Sequence, residues 1–242
     1  MAIIKEHTPL YREIFAIHGV LSDRLLTFGY QDISGKNIPA DFAFADAKAF
    51  LLANGVKEVT TLDHFDQRAD LKYDMNVPIP HYENEKYSTV LDIGSLEHVF
   101  DTRQCLENCL RMVQVGGIYM LHTCVNGYLR HGFHVFNPQG LLSSLELNNF
   151  EIMYLKYTTS RGKVIDDPEY GEDVLIWIVA KKLKSIDAFA VPQQAMWLDY
   201  KPGRRIGKKG PFRIKNSLRK LLSMGWRLLC SVKNDLRQFF DR

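Results

Sequence analysis

Residues 74–117 read DMNVPIPHYENEKYSTVLDIGSLEHVFDTRQCLENCLRMVQVGG, and the fold turns on how this stretch alternates. The run YSTVLDI at 87–93 is apolar and partly β-branched and stops at Gly94, which predicts a buried strand ending in a turn. Asp101-Thr-Arg-Gln104 fits a capping box, in which a side-chain oxygen and a Gln three residues on satisfy each other's free N–H groups. Apolar or thiol residues then fall at 105, 106, 109, 110, 112 and 113, a helical spacing, and Gly116-Gly117 is expected to close that helix. IYMLHTC at 118–124 predicts the next strand. Upstream, the polar stretch 69–80 carries Pro78 and Pro80 and reads mostly as loop.

Working outward, RLLTF at 24–28 suits a buried strand leading into Gly29, and KEVTTL at 57–62 a second strand ending at Asp63. DFAFADAKAFLLA at 41–53 predicts a helix, with Asp41 as N-cap and Asn54-Gly55 as its stop. Residues 138–148 predict another helix. FEIMYLKYT at 150–158 and DVLIWIVA at 173–180 are two strands separated by a long polar loop. Strands alternating with helices, followed by two consecutive strands, place the chain in the α/β class. The expected sheet is Rossmann-like, mostly parallel, with an antiparallel C-terminal edge hairpin.

The composition, 46% apolar and 24% charged over 242 residues, excludes a disordered or collagen-like chain. No apolar run is long enough to predict a transmembrane helix, and charges in MAIIKEHTPLYREI argue against a signal peptide. The four cysteines, Cys105, Cys109, Cys124 and Cys230, form no metal-spaced pair and are expected to be buried thiols in a cytoplasmic protein.

In open α/β sheets a ligand lies outside the carboxyl ends of the strands, where the strand order reverses. Polar residues gather there: Gly29, Tyr30 and Gln31 after the first strand, Asp63 after the second, Asp74 after the loop. Gly94, Ser95, Glu97 and His98 follow the next strand, and Asn126, His131 and His134 the one after. Glycine permits close backbone approach, and a carboxylate after the second strand can accept ribose hydroxyls. Each residue also has a plain structural reading: Gly29 as a turn glycine, Asp63 as a cap, His98 as a packed histidine. His131 and His134 lack a third ligand, so no metal site is expected.

The pieces of 74–117 together resemble the middle of a class I S-adenosylmethionine-dependent methyltransferase of the small-molecule type. They are Asp74, Pro78 and Pro80, the strand 87–93, Leu96-Glu97-His98-Val99, Arg111-Met112-Val113 and Gly116-Gly117. Asn148-Asn149-Phe150 and DVLIWIVAKK at 173–182 are similar to the family's later elements, so the resemblance spans about residues 20–183. HGFHVFNPQGL at 131–141 is weakly similar to a segment of members associated with glycan and cell-surface biosynthesis. The family's first motif is glycine-rich, whereas LLTFGYQDISG here offers Gly29 and one further glycine six residues on. The resemblance implies S-adenosylmethionine as cofactor, held by Gly29, Tyr30, Asp63, Asp74, Gly94 and Glu97. It implies methyl transfer to a small-molecule or glycan/lipid-linked acceptor, with His131, His134 and His98 as candidate bases. The glycine-poor loop equally suits a non-catalytic relative recruited to a membrane or a partner enzyme.

Charge is distributed unevenly. Residues 201–242 hold 13 Lys/Arg against 2 Asp/Glu, and residues 1–200 hold 18 against 26. The expected organisation is a methyltransferase-like domain over 1–183, a Pro/Gly/basic linker over 184–213 and a basic amphipathic helical tail over 214–242. Apolar residues at helical period, bordered by Lys and Arg with Trp226 between, suit an anionic membrane surface contacting 204–240. That would place the protein peripherally at the inner membrane face. Docking on the body or on a second subunit is the alternative. Nucleic acid is disfavoured, because the stripe lacks interleaved stacking aromatics. The oligomeric state is left open.

Overall fold

The computed structural model describes residues 2–166 and 173–193. Its elements in chain order are β1 (Ala2–Ile4), α1 (Thr8–Phe15), β2 (Arg24–Phe28), β3 (Asp32–Ser34), α2 (Ala47–Ala53), β4 (Glu58–Leu62) and β5 (Tyr87–Ile93). They continue with α3 (Thr102–Met112), β6 (Val113–Asn126), α4 (Pro138–Leu147), β7 (Phe150–Thr159), β8 (Val164–Ile165) and β9 (Val174–Lys182). The main sheet has seven strands in the order β4-β2-β5-β6-β9-β7-β8. β4, β2, β5 and β6 run parallel, and β9 enters antiparallel between β6 and β7. A separate parallel pair joins β1 to β3.

The chain leaves β2 for β4 on one side and returns to β5 on the other. The carboxyl ends of β2 and β5 therefore form the point where strand order reverses, the place in such sheets where a crevice opens. β2, β5 and β9 are buried along nearly their whole length, which is why they read as apolar runs rather than alternating ones.

Several expectations are corrected in detail. Asp41 does not cap a helix: the segment opens as a 3₁₀ turn at Ala40–Phe42, Asp41 is paired with Arg12, and Asp46 caps α2 by accepting from Ala49 N at 2.8 Å. Gly116 and Gly117 do not end α3. The helix stops at Met112 and both glycines lie inside β6, where the register with β5 slips between Tyr87 and Thr89. A Cβ on Gly117 would lie 2.7 Å from the Ser88 carbonyl oxygen, so the glycine is there for close strand approach. The antiparallel hairpin is not wholly at the edge: β9 is an interior strand, and β7 with the short β8 lies beyond it. The capping box is half formed. Asp101 accepts from Gln104 N at 2.9 Å, while the Gln104 amide turns to Asn108. Of the expected linker, residues 184–193 are described, and they pack on the body through Asn148–Ala190 hydrogen bonds and Arg111 donating to the Ile186 carbonyl. The remainder of the linker, the tail 214–242 and Cys230 lie outside the described residues. Cys105, Cys109 and Cys124 are buried free thiols.

One face of the sheet packs on α1 and α2 through Tyr11, Ile14, Phe50, Leu25, Ile93 and Trp177. Within this core His122 stacks on Trp177 at 3.8 Å and 10°, and its Nδ1 lies 3.3 Å from Tyr11 Oη. His7 meets the same imidazole edge-on at 5.2 Å. Burial, and then the neighbouring His7, hold the His122 imidazole far below its ordinary pKa, so it is neutral in the folded protein. Its Nε2 is buried without a hydrogen-bond partner.

A histidine buried neutral makes the unfolded state the better proton binder below the ordinary imidazole pKa of about 6.5, so stability is lost as pH falls through that value. His122→Phe removes this dependence while keeping a ring against Trp177. Urea midpoints of variant and wild type are expected to diverge in the variant's favour between pH 7.5 and 5.5. A pH-independent difference would refute a neutral His122.

Candidate functional site

The turn after β5 is set by a buried carboxylate. Asp92 lies wholly out of solvent in the strand and accepts from Ser95 N at 2.9 Å, Leu96 N at 3.3 Å and Tyr119 Oη at 3.0 Å. Burial pushes its carboxyl up to about 6 against those three hydrogen bonds. The turn passes through Gly94, at φ 70, into a 3₁₀ turn at Leu96–His98. Glu97, only 2% exposed, points inward, where Thr123 on β6 donates to its Oε2 at 2.8 Å. Burial, and then the Asp92 charge, push the Glu97 carboxyl up to about 7.

The loop after β6 is fastened to this turn. The Glu97 carbonyl accepts from Phe133 N at 2.9 Å and His134 N at 3.2 Å. Gly132 sits so close that a Cβ would lie 2.7 Å from the same oxygen. The fastening brings His131 beside His98, with ring centroids 5.0 Å apart, and Tyr128 packs edge-on to His131 at 5.4 Å. Partial burial, and then His131, hold the His98 imidazole below its ordinary pKa. One ligand atom from each of Glu97, His98 and His131 falls within 4.8 Å of the other two. His134 is not part of this group: its Nε2 lies 3.0 Å from the Phe100 carbonyl oxygen. Spacing along the chain pairs His131 with His134, whereas the fold sets it against His98 and Glu97. Phe100, Leu129 and Phe133 stand exposed on the turn and the loop that carry these residues, with the Phe100 and Phe133 rings edge-on at 5.8 Å, and make an apolar rim there.

The other side of the switch point is built on Gly29 and Gln31. Gly29 has φ 84, and a Cβ there would strike Ser95 Oγ and Gln31 Nε2. Gln31, 2% exposed, donates from Nε2 to the Phe28 carbonyl at 3.2 Å and the Ile93 carbonyl at 3.3 Å, stitching β2 to β5, while its Oε1 is buried without a partner. Tyr30 N donates to Asp63 Oδ2 at 3.1 Å, and Asp63 Oδ1 accepts from Phe65 N at 2.9 Å and Asp66 N at 3.0 Å. Burial raises the Asp63 carboxyl, but these three N–H groups outweigh it and hold the pKa below the ordinary value. The Tyr30 ring lies under the Arg68 guanidinium at 4.0 Å, and its hydroxyl donates to Asp46. Asp74 follows the isolated parallel bridge Leu62–Leu71 and accepts from the Asn76 backbone and amide.

Sequence alone does not single out Asp92, Thr123 or Gly132, and it marks Gln31 only as one of the polar residues after the first strand. Asp92 alone left a usable signal, a carboxylate inside an otherwise apolar strand, which is rare unless paired.

Parallel strands wound to both sides of a switch point, with the last long strand inserted antiparallel, decide the fold. It is a Rossmann-like α/β fold of the kind on which class I methyltransferases are built. Solved structures to which the chain is similar include an S-adenosylmethionine-dependent methyltransferase from Mesorhizobium loti (12% identity, 73% of this chain and 98% of that one, TM-score 0.49), the cyclase SpnF (16%, 74% and 81%, 0.48) and a methyltransferase from Methanosarcina mazei (14%, 69% and 96%, 0.43). The sheet order, rather than these scores, carries the fold assignment. No protein-family model and no curated protein matches the chain.

Thr123→Val removes the hydrogen bond that favours the ionised Glu97. The carboxyl should then titrate above the value of about 7 it has with Thr123 present. Carboxyl ¹³C chemical shifts followed against pH would measure this, and an unchanged midpoint would show that Thr123 does not set the carboxylate.

Proposed function

We propose that the protein is an S-adenosylmethionine-dependent methyltransferase. The carrying observation is that both polar sets, Gly29–Gln31–Asp63 and Glu97–His98–His131, converge on the one place where the sheet's strand order reverses. The residues present suit an adenosyl amino acid. Gly29 supplies the positive φ that the tight turn needs, the unpartnered Gln31 Oε1 is an acceptor for an ammonium group, and Asp63 retains acceptor capacity for a ribose hydroxyl. Asp74 would take an exocyclic amine, and Gly94 with Glu97 would border the methionine end.

Bound S-adenosylmethionine supplies a sulfonium-activated methyl group. The chain's own work is to align the acceptor, exclude water and take its proton. His98, with its lowered pKa, is held in the neutral form that can accept a proton near pH 7. His131 lies beside it, and a Glu97 carboxylate oxygen comes within 4.8 Å of a nitrogen of each ring. His134, bonded to Phe100, is better placed to hold the loop than to act on the acceptor. The rim of Phe100, Leu129 and Phe133 suits an acceptor with an apolar part, in keeping with a small-molecule or glycan/lipid-linked substrate. The basic residues of 204–240 favour work at the cytoplasmic face of an anionic membrane rather than on nucleic acid.

One feature favours a second reading, a methyltransferase-like protein without catalysis that serves a membrane or a partner enzyme. Gln31 and Ser95 already fill the space beside Gly29, and Asp63 is engaged by three backbone N–H groups. Calorimetric titration with S-adenosylmethionine and S-adenosylhomocysteine separates the two readings. Micromolar binding, weakened tenfold or more in Asp63→Ala, supports the enzyme. No heat at millimolar ligand supports the second reading. In an activity assay, His98→Ala and His131→Ala should each lose at least a hundredfold in turnover, the usual scale for a proton-transfer group, and full activity in both would remove them from the mechanism.

A further inference from the structure

Glu97, His98 and His131 are, among the described residues, the one group of three metal-ligating side chains whose ligand atoms lie so close together. Two imidazoles and a carboxylate form a donor set characteristic of first-row transition metals, found at catalytic zinc and at non-haem iron centres. Hard cations such as Mg²⁺ prefer oxygen ligands and would be poorly served by it.

The surroundings are built to hold these three groups rather than merely to let them meet. Glu97 is buried, and Thr123 fixes one of its oxygens from the neighbouring strand, the kind of outer contact that orients a ligating carboxylate. His131 is delivered by a loop whose backbone is pinned to the Glu97 carbonyl, and Gly132 leaves no space to loosen that approach. His98 and His131 remain exposed, so an ion would be reachable from solvent and would keep positions open for a further ligand. Two imidazoles left side by side repel when protonated. A shared cation removes that conflict and also balances the buried Glu97 carboxylate.

We propose that Glu97, His98 and His131 form a site for one divalent first-row transition-metal ion, Zn²⁺ foremost, with at least one coordination position open toward the apolar rim. Binding of the ion stands on these three residues alone. Its role rests on the methyl-transfer reading: the open position would take the acceptor's hydroxyl and lower its pKa, so that the proton leaves to solvent, an oxygen lone pair attacks the sulfonium methyl group, and the electron pair of the broken carbon–sulfur bond stays on sulfur as the thioether. In that case His98 and His131 act as ligands rather than as bases.

The test uses the full chain, stripped with a chelator and titrated with Zn²⁺ by calorimetry, with Co²⁺ by visible absorption, and with Fe²⁺ under anaerobic conditions. One ion per chain is expected, with the absorption of a four- or five-coordinate cobalt centre. Affinity should fall tenfold or more in each of Glu97→Gln, His98→Ala and His131→Ala. Gly132→Ala should weaken binding by displacing His131, while His134→Ala and the distant His81→Ala stay within twofold. Circular dichroism on each variant confirms the fold, and the surface changes His98→Ala and His131→Ala decide the matter if Glu97→Gln is unstable. Absence of saturable binding, or binding that survives all three ligand changes, overturns the proposal. Tight Fe²⁺ with weak Zn²⁺ overturns the zinc preference and leaves the site. Parallel titration with S-adenosylhomocysteine keeps the readings apart: metal binding without nucleoside binding upholds the site and removes methyl transfer as its purpose.

Discussion

The buried carboxylate of Asp92 is the constraint on which the site depends. A charge in the middle of a parallel sheet is costly to desolvate, and that cost shows in a pKa raised to about 6. It is tolerated because two backbone N–H groups of the following turn and one phenol on the next strand converge on it. The arrangement works in both directions. Ser95 N and Leu96 N face into the protein and would be orphaned without the carboxylate, at roughly 1–3 kcal/mol for each buried donor left unpaired. The turn after β5 therefore has one conformation, and Glu97 and His98 inherit their positions from it.

From that turn the organisation spreads through backbone rather than side-chain contacts. The Glu97 carbonyl accepts two N–H groups from the loop after β6, and Gly132 allows the chains to close on one another. A loop fastened by main-chain bonds keeps its course whatever side chains it carries, so the two histidines on it can serve different ends. His134 turns back to the Phe100 carbonyl and braces the loop, and His131 turns to His98. The division of labour follows from which side of the pinned backbone each residue occupies, and their similar spacing along the chain conceals it.

This explains what was legible in the sequence and what was not. Strands buried on both faces announce themselves as apolar runs, and 24–28, 87–93 and 174–182 were found almost to the residue. Glycines were ambiguous because a helix stop and a close strand approach demand the same residue, and Gly116-Gly117 was read as the first when it is the second. Asp41 and Asp46 are equally good caps in sequence; the pairing of Asp41 with Arg12, from a distant helix, decided between them. The residues after each strand end could be named as a group. Which of them meet depended on long-range bonds, such as Thr123 to Glu97 and Gln31 to two strand carbonyls, that leave no periodic trace.

The two sides of the switch point are unlike in how far they are already satisfied. An ionised carboxylate offers about four acceptor positions. Asp63 has given three of them to Tyr30, Phe65 and Asp66, so a ribose there would find room for one direct hydrogen bond and not the bidentate grip that the residue type alone suggests. The Gln31 amide has likewise spent its N–H₂ on strand carbonyls and keeps only its carbonyl oxygen in reserve. On the Glu97 side the balance is reversed: only its own backbone N–H and the Thr123 hydroxyl hold the carboxylate, and two imidazoles face outward. A ligand spanning both sides would be held loosely at its nucleoside end and engaged strongly near Glu97. Selection in this protein would then act through the acceptor side, where the open chemistry lies.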